Sequence, residues 1–107
     1  ECADIRFEFR GDGKVEISGQ DGSVAVGCRD GRVYLDTCRA NNMNGCVRTV
    51  NRSREKNGVR VLLDVSGIEV FVDGGAETIS SRIYIRGNRS LTSSGEVGKL
   101  EIKKVQV

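Results

Sequence analysis

The side chains of this sequence that could do chemistry gather in one stretch, residues 60–84. They comprise two acids, two arginines and two aromatic rings: Asp64, Glu69, Arg60, Arg82, Phe71 and Tyr84. A carboxylate accepts two hydroxyl hydrogen bonds at once, a guanidinium donates two in a fixed fork, and an aromatic ring packs against a sugar ring. The set has two interpretations. The one we favour is structural, a salt-bridge cluster or a polar contact to another domain, and the alternative is a carbohydrate-binding surface.

The register of one hairpin decides whether these groups meet. If Ser66-Gly67 forms a two-residue turn, Asp64 lies directly opposite Glu69. Like charges in that position are destabilising, so a compensating cation is expected. Arg60 lies on the same face as Asp64, and Arg82 is the diagonal neighbour of Glu69. The hairpin thus predicts alternating acids and arginines on one face.

A second hairpin agrees with the first about the two faces of the sheet. Its turn lies within residues 73–76 and pairs Glu69 with Ser80. The aliphatic side chains then point into a core: Val61, Leu63, Val65, Ile68, Val70, Val72, Ile79, Ile83 and Ile85. The six candidate residues point the other way. A slip of one residue would invert every side chain, so the aliphatic set fixes the faces.

Independent catalysis is not expected. Asp64 and Glu69 could approach the ~5–5.5 Å carboxylate separation of retaining glycosidases, but a small sandwich need not offer a deep cleft that excludes water. The sequence has no His, which removes Ser-His and Cys-His pairs. The spacing of the four cysteines matches no zinc pattern. We therefore expect no catalytic residue, no metal site and no cofactor.

The cysteines leave two alternatives open, two disulfides or four free thiols. Asp30-Gly31 is a strong hairpin signal, and its register sets Cys28 opposite Val33. Cys38 then lies several residues further along, beyond the ~7 Å Cα separation that a bridge allows. A bond between Cys28 and Cys38 is not expected, and a cytoplasmic or secreted location stays open.

Apolar residues alternate with polar ones almost everywhere, which is the signature of strands. Glycine-rich turns are expected at residues 11–13 and 18–22, and a loop at 39–46. The pattern predicts nine or ten short strands and no helix. The expected fold is all-β, an antiparallel two-sheet β-sandwich of the concanavalin-like kind.

The bulk properties fit one globular domain over residues 1–107. The chain is 30% charged and 37% hydrophobic, with a net charge of +2. This balance gives no electrostatic footprint for nucleic acid or for an anionic membrane. No apolar run approaches the ~20 residues of a membrane span. The chain begins at Glu1 without an initiator Met, so either a targeting segment was removed or it is a segment of a larger protein, and the resemblance described next implies the second.

The same stretch resembles the C-terminal domain of glycoside hydrolase family 32, which includes invertases, sucrose-6-phosphate hydrolases, levanases and inulinases. The resemblance is carried by VRVLLD (59–64), SGIEVFVDGG (66–75) and TISSRIY (78–84), with VYLD (33–36) and GKLEIKKV (98–105) in support. The family's usual pattern has Ser in place of Gly67, and Phe-Pro in place of Tyr84-Ile85. The resemblance covers nearly the whole chain.

The resemblance implies that a catalytic β-propeller of the same polypeptide carries the hydrolysis of β-fructofuranosides and that this chain holds none of it. The leading hypothesis is a non-catalytic accessory module that packs on the propeller and stabilises it. A related levan-binding module supports the alternative, a fructan-binding module that takes fructose or fructan. An unrelated lectin-like sandwich is a third hypothesis, and formation of a homo-oligomer stays open.

Overall fold

The computed structural model describes residues 2–20, 22–38, 47–50, 56–64, 67–82 and 89–105. This part of the chain consists of antiparallel strands, and it contains no helix that is long and apolar enough to cross a membrane. In chain order the strands are β1 (Cys2–Ser18), β2 (Ser23–Arg29), β3 (Arg32–Asp36), β4 (Val47–Thr49), β5 (Asn57–Leu63), β6 (Ile68–Val72), β7 (Glu77–Ser81) and β8 (Ser90–Val105). The all-β prediction is confirmed.

The two layers of the sandwich share their central strands. Hydrogen bonds connect the strands in the order β4-β3-β2-β1-β5-β6-β7, and β8 pairs with β1. The first half of β1 pairs with β5 and the second half with β2. The layers close on each other at their far edges, where Arg48 of β4 donates a hydrogen bond to the Ser80 carbonyl of β7 (2.8 Å).

The predicted turn at Gly11-Asp12-Gly13 is wrong. The chain continues through these residues as one strand, and the pairing of β1 with β8 shifts register between Phe9 and Gly13. Because β8 stays paired on both sides of this irregularity, the chain bends from one layer into the other instead of reversing. Strands predicted as separate are therefore halves of β1, and β8 begins at Ser90, well before the predicted residue 98.

The core lies between the layers and receives the inward side chains of both. Phe9, Val26, Val33, Val70 and Val72 are fully buried, and the core runs on from them without a break. The Phe7 and Phe9 rings of β1 meet edge to face, with centroids 5.1 Å apart. The period-two alternation in the sequence arises from this arrangement, since each strand has one face in the core.

The hairpin of β5 and β6 corrects the predicted register by two residues. Leu63 pairs with Ile68 and Leu62 with Glu69, so Asp64 does not lie opposite Glu69. Asp64 has left the strand, and its backbone N–H donates to the Gly67 carbonyl (2.9 Å). The last paired residues are Leu63 and Ile68, so the turn is not the two-residue Ser66-Gly67 turn that the sequence predicted.

The faces survive this correction because the shift is an even number of residues. Arg60 lies opposite Phe71, not opposite Asp73 as the two-residue turn predicted. The second hairpin has the predicted pairs, with Glu69 opposite Ser80, and a 3-10 turn at Asp73–Gly75 connects its strands. The predicted inward residues that the structure describes are buried: Val61, Leu63, Ile68, Val70, Val72 and Ile79.

The cysteine expectations can be compared with the structure in part. Cys28 lies opposite Val33, as the Asp30-Gly31 turn predicted. Cys28 is a buried free thiol, and burial raises its pKa. Cys38 is in a disulfide bond. The two cysteines are therefore not bonded to each other. Cys46 lies outside the described residues.

Candidate functional site

The outer face of the β1, β5 and β6 strands carries part of the predicted set. Arg60, Phe71 and Glu69 lie on it, with Phe71 half-buried and Glu69 exposed. Arg82 is exposed just after β7, where it keeps its diagonal relation to Glu69. Tyr84 lies outside the described residues. Asp64 stands at the end of the layer, in the loop.

The charged centre of this face is Asp4 of β1, which the sequence reasoning did not single out. Arg60 holds it through two hydrogen bonds, from Nε to Oδ1 (3.1 Å) and from Nη2 to Oδ2 (3.0 Å). Arg6 adds a longer bond from Nη2 to Oδ2 (3.4 Å). Asp4 is 5% exposed, whereas about half of each arginine side chain is open to solvent. One buried carboxylate thus anchors two guanidinium groups at the surface.

This arrangement reverses the predicted electrostatics. Arg6 and Arg60 lie directly opposite each other in the pairing of β1 with β5, and Asp4 stands diagonally across from Arg60. Two cations are therefore compensated by one acid, where the prediction had two acids compensated by arginines. The hydrogen bonds from Arg60, more than those from Arg6, hold the pKa of Asp4 below its usual value. The same contact raises the pKa of Arg60.

A hollow of about 400 Å³ opens beside this cluster. Arg6, Arg60 and the aromatic ring of Phe71 line it together with Leu62, and Gly58 leaves one wall without a side chain. A Cβ at Gly58 would meet nothing within 4 Å. Fork-like donors beside a ring are suited to a hydroxyl-rich, flat ligand. The hollow is thus the described surface that best fits the predicted chemistry.

A second hollow, of about 590 Å³, lies on the other layer and was not predicted. Its aromatic wall is Tyr34, whose ring covers Gly27 so closely that a Cβ there would lie 2.2 Å from ring atoms. The Arg29 guanidinium carbon is 5.9 Å from the ring centroid, a cation–π contact. Since Gly27 and Arg29 already pack against Tyr34, this ring belongs to the packing of β2 on β3.

The described residues contain no group of three or more His, Cys, Asp or Glu side chains placed to hold a metal ion.

Asp4 and Arg6 could have been placed on an outward face by their alternation with Ile5 and Phe7. Their partner could not be found this way, because the contact of Asp4 with Arg60 joins residues 56 positions apart. No local signal specifies that β1 pairs with β5.

The fold is similar to that of a part of a solved protein structure. The chain is similar to the structure of the fructofuranosidase from Schwanniomyces occidentalis complexed with fructose, with a TM-score of 0.67 over 92% of this chain. The sequences are 10% identical, so the likeness establishes the fold alone. The chain spans 28% of that protein's length, so this kind of sandwich occurs as a part of a longer chain.

The sequence comparison is more specific. The chain belongs to the family described as glycosyl hydrolases family 32 C terminal, whose model matches residues 7–107. The resemblance drawn from residues 59–85 is therefore confirmed. No curated protein matches the sequence at a significant level.

Proposed function

We propose that this chain is the non-catalytic C-terminal module of a β-fructofuranosidase and that it packs on and stabilises the catalytic propeller of the same polypeptide. The observation that supports this most is the match to the family's C-terminal model over residues 7–107. The fold similarity agrees with it, because it covers nearly all of this chain and 28% of a fructofuranosidase. Hydrolysis of sucrose, sucrose-6-phosphate or a fructan would then belong to the propeller.

Deletion of the module from the parent enzyme tests this proposal. Because the module would bury apolar surface of the propeller, its removal should lower the thermal midpoint of the enzyme and shorten the half-life of sucrose or fructan hydrolysis on heating. The initial rate at low temperature, measured before inactivation, should change much less. An enzyme that keeps its half-life without residues 1–107 would contradict the accessory role.

A second candidate function is fructan binding, which the hollow beside Arg60 and Phe71 supports. In this proposal Arg60 and Arg6 donate to sugar hydroxyls, and Phe71 packs against the ring. Glu69 and Arg82 extend the polar surface, and Asp64 and Tyr84 remain candidates from the sequence alone. The face carries both acids and arginines, so it can accept hydrogen bonds from sugar hydroxyls and donate to them.

Isothermal titration with levan, inulin and fructose tests this second candidate. Millimolar or tighter binding should be lost in Gly58→Val, which fills the hollow while the Cβ itself meets no neighbour, and weakened in Glu69→Ala, which lies beside the hollow. Glu96→Ala, at an exposed acid on β8, is the matched control and should bind as the unaltered chain does. If none of the three sugars gave a heat of binding, fructan binding would be contradicted and the accessory role would be the remaining candidate.

A further inference from the structure

Two aliphatic side chains on β8 face the core side of the sheet but are not covered. Ile102 pairs with Ile5 and therefore shares its face. Ile5 is 2% exposed, whereas Ile102 is 53% exposed. Leu100 lies next to a shift in register, but its neighbour Glu101 pairs with the outward-facing Arg6, so Leu100 shares the face of Ile102; it is 38% exposed. The opposite layer thus covers β1 but leaves this end of β8 open.

The open end differs from the rest of the strand. Val97 and Leu91, further back on β8, are packed against the core and partly buried. Among the described residues, the large exposed hydrophobics are Leu100, Ile102 and Val47. Leu100 and Ile102 thus form an apolar stripe that continues the core out to the surface, which we call the β8 stripe. Val47 lies on β4, which is separated from β1 by β2 and β3 in the strand order.

The start of the chain lies beside the β8 stripe. Cys2 pairs with Val105, and Ile5 follows three residues later, opposite Ile102. At about 3.3 Å per residue, Ile102 is about 10 Å along the strand from the point where a preceding domain would be attached. A domain joined there meets the stripe at high effective concentration.

The size of the stripe also favours a tethered partner. Two side chains cannot supply the roughly 1,000 Å² that a stable interface between separate molecules needs. A domain in the same chain needs less, because the linker has already removed most of the entropic cost of association. A second copy of this chain, held by the stripe alone, is disfavoured for the same reason.

We propose that the β8 stripe, Leu100 and Ile102, is the surface by which this module docks on the catalytic domain that precedes it. The inference rests on the proposed accessory function and adds which surface of the module contacts the catalytic domain. The partner surface on the catalytic domain is apolar and lies next to the linker. Glu101 and Lys103 pair with Arg6 and Asp4 and therefore face the opposite side of the sheet.

Hydroxyl-radical footprinting of the unaltered parent enzyme tests the location without a mutation. Val47 is the internal reference because its exposure, 55%, matches the 53% of Ile102. After normalisation to the unfolded chain, Ile102 should be oxidised several-fold less than Val47, and Leu100 should be protected with it. Equal oxidation of Ile102 and Val47 would overturn the proposal.

Paired substitution in the parent enzyme gives the energetic test. Leu100→Gln with Ile102→Thr should lower the thermal midpoint of the catalytic domain by roughly 2–4 °C, whereas Val47→Thr should not. Hydrogen exchange of β2 and β3 amides should stay slow, which shows that the module itself remains folded.

The outcomes separate the two proposals. If deletion of the module destabilises the enzyme but the paired substitution does not, docking occurs elsewhere and only this inference fails. If deletion has no effect either, the accessory function fails as well. If light scattering shows that the substitutions dissociate an oligomer while the thermal midpoint is unchanged, the stripe joins two copies and the inference is wrong.

Discussion

At the scale of single residues, Asp4 organises the outer face of the first layer. It is nearly fully buried, yet it stays ionised because Arg60 donates hydrogen bonds to both of its carboxylate oxygens and Arg6 donates a third. Burial by itself would raise the pKa of a carboxyl, and here the hydrogen bonds outweigh it, so the pKa of Asp4 falls. Without this acid, two arginines would face each other across adjacent strands.

The substitution Asp4→Asn should destabilise the chain by about 1 kcal/mol near neutral pH, a modest loss because both arginines are half exposed and screened by water. A carboxyl with a lowered pKa in the folded state stabilises it above the unfolded value of about 3.9 and loses this effect as pH falls through the folded pKa. The difference in the free energy of unfolding between Asp4→Asn and the unaltered chain should therefore shrink at about pH 3. Urea unfolding at both pH values measures it.

Glu96→Gln, which removes the charge of an exposed acid on β8, is the control and should change the free energy of unfolding at neutral pH much less. If Asp4→Asn lowered the free energy of unfolding equally at both pH values, the shape of the Asp4 side chain, and not its charge, would explain how it stabilises the chain.

At the scale of elements, the fold depends on β1 and β8 bending together. The bend lies where Gly13 pairs with Gly95, next to the shift in register. Gly95 has a φ of 80°, and a Cβ there would lie 2.4 Å from the Asp12 carbonyl oxygen. Both strands are thus held too close at this point for any side chain.

Gly95→Ala should therefore destabilise the chain by at least about 2 kcal/mol, through the strained φ and the clash with backbone. Gly58→Ala is the matched control, since its Cβ has open space and its φ is not positive. That change should stabilise by about 0.5 kcal/mol by restricting the unfolded chain. Thermal unfolding of the two variants side by side measures the contrast, and similar midpoints would refute this account of the bend.

At the scale of the whole molecule, the layers are expected to unfold together. β1 supplies Phe7 and Phe9 to the core in its first half and Val15 and Ile17 in its second, so neither layer keeps a complete core alone. A strand shared by both layers couples their stabilities, and one cooperative transition is expected.

Phe9→Ala tests this coupling. Removal of a fully buried ring should cost about 3–5 kcal/mol. In a Tyr84→Phe background, in which Tyr34 is the only tyrosine, the substitution should shift the transitions seen by tyrosine fluorescence and by far-UV circular dichroism by the same amount. Tyr34 lies on the layer of β2 and β3, away from the β5 to β7 strands, so separate shifts for the two signals would show that the layers unfold independently.

Much of this protein follows from local pattern. Alternation fixed the all-β class and the two faces of residues 61–79, because a strand with one face in the core can carry aliphatic side chains only at every second position. The Asp30-Gly31 turn placed Cys28 opposite Val33, since turn type sets the register of a two-residue hairpin. The motifs of residues 59–84 were sufficient to identify the family.

Tertiary structure decided which outward side chains meet. The true partner of Arg60 is Asp4, not a residue of its own hairpin, because strand order is set by burying two layers against each other and not by any short-range signal. The same global packing turned an apparent turn at residues 11–13 into a bend and left Ile102 uncovered while Ile5 was buried. A sequence specifies the faces of its strands locally, but the neighbour across each edge is chosen only when the whole sheet closes.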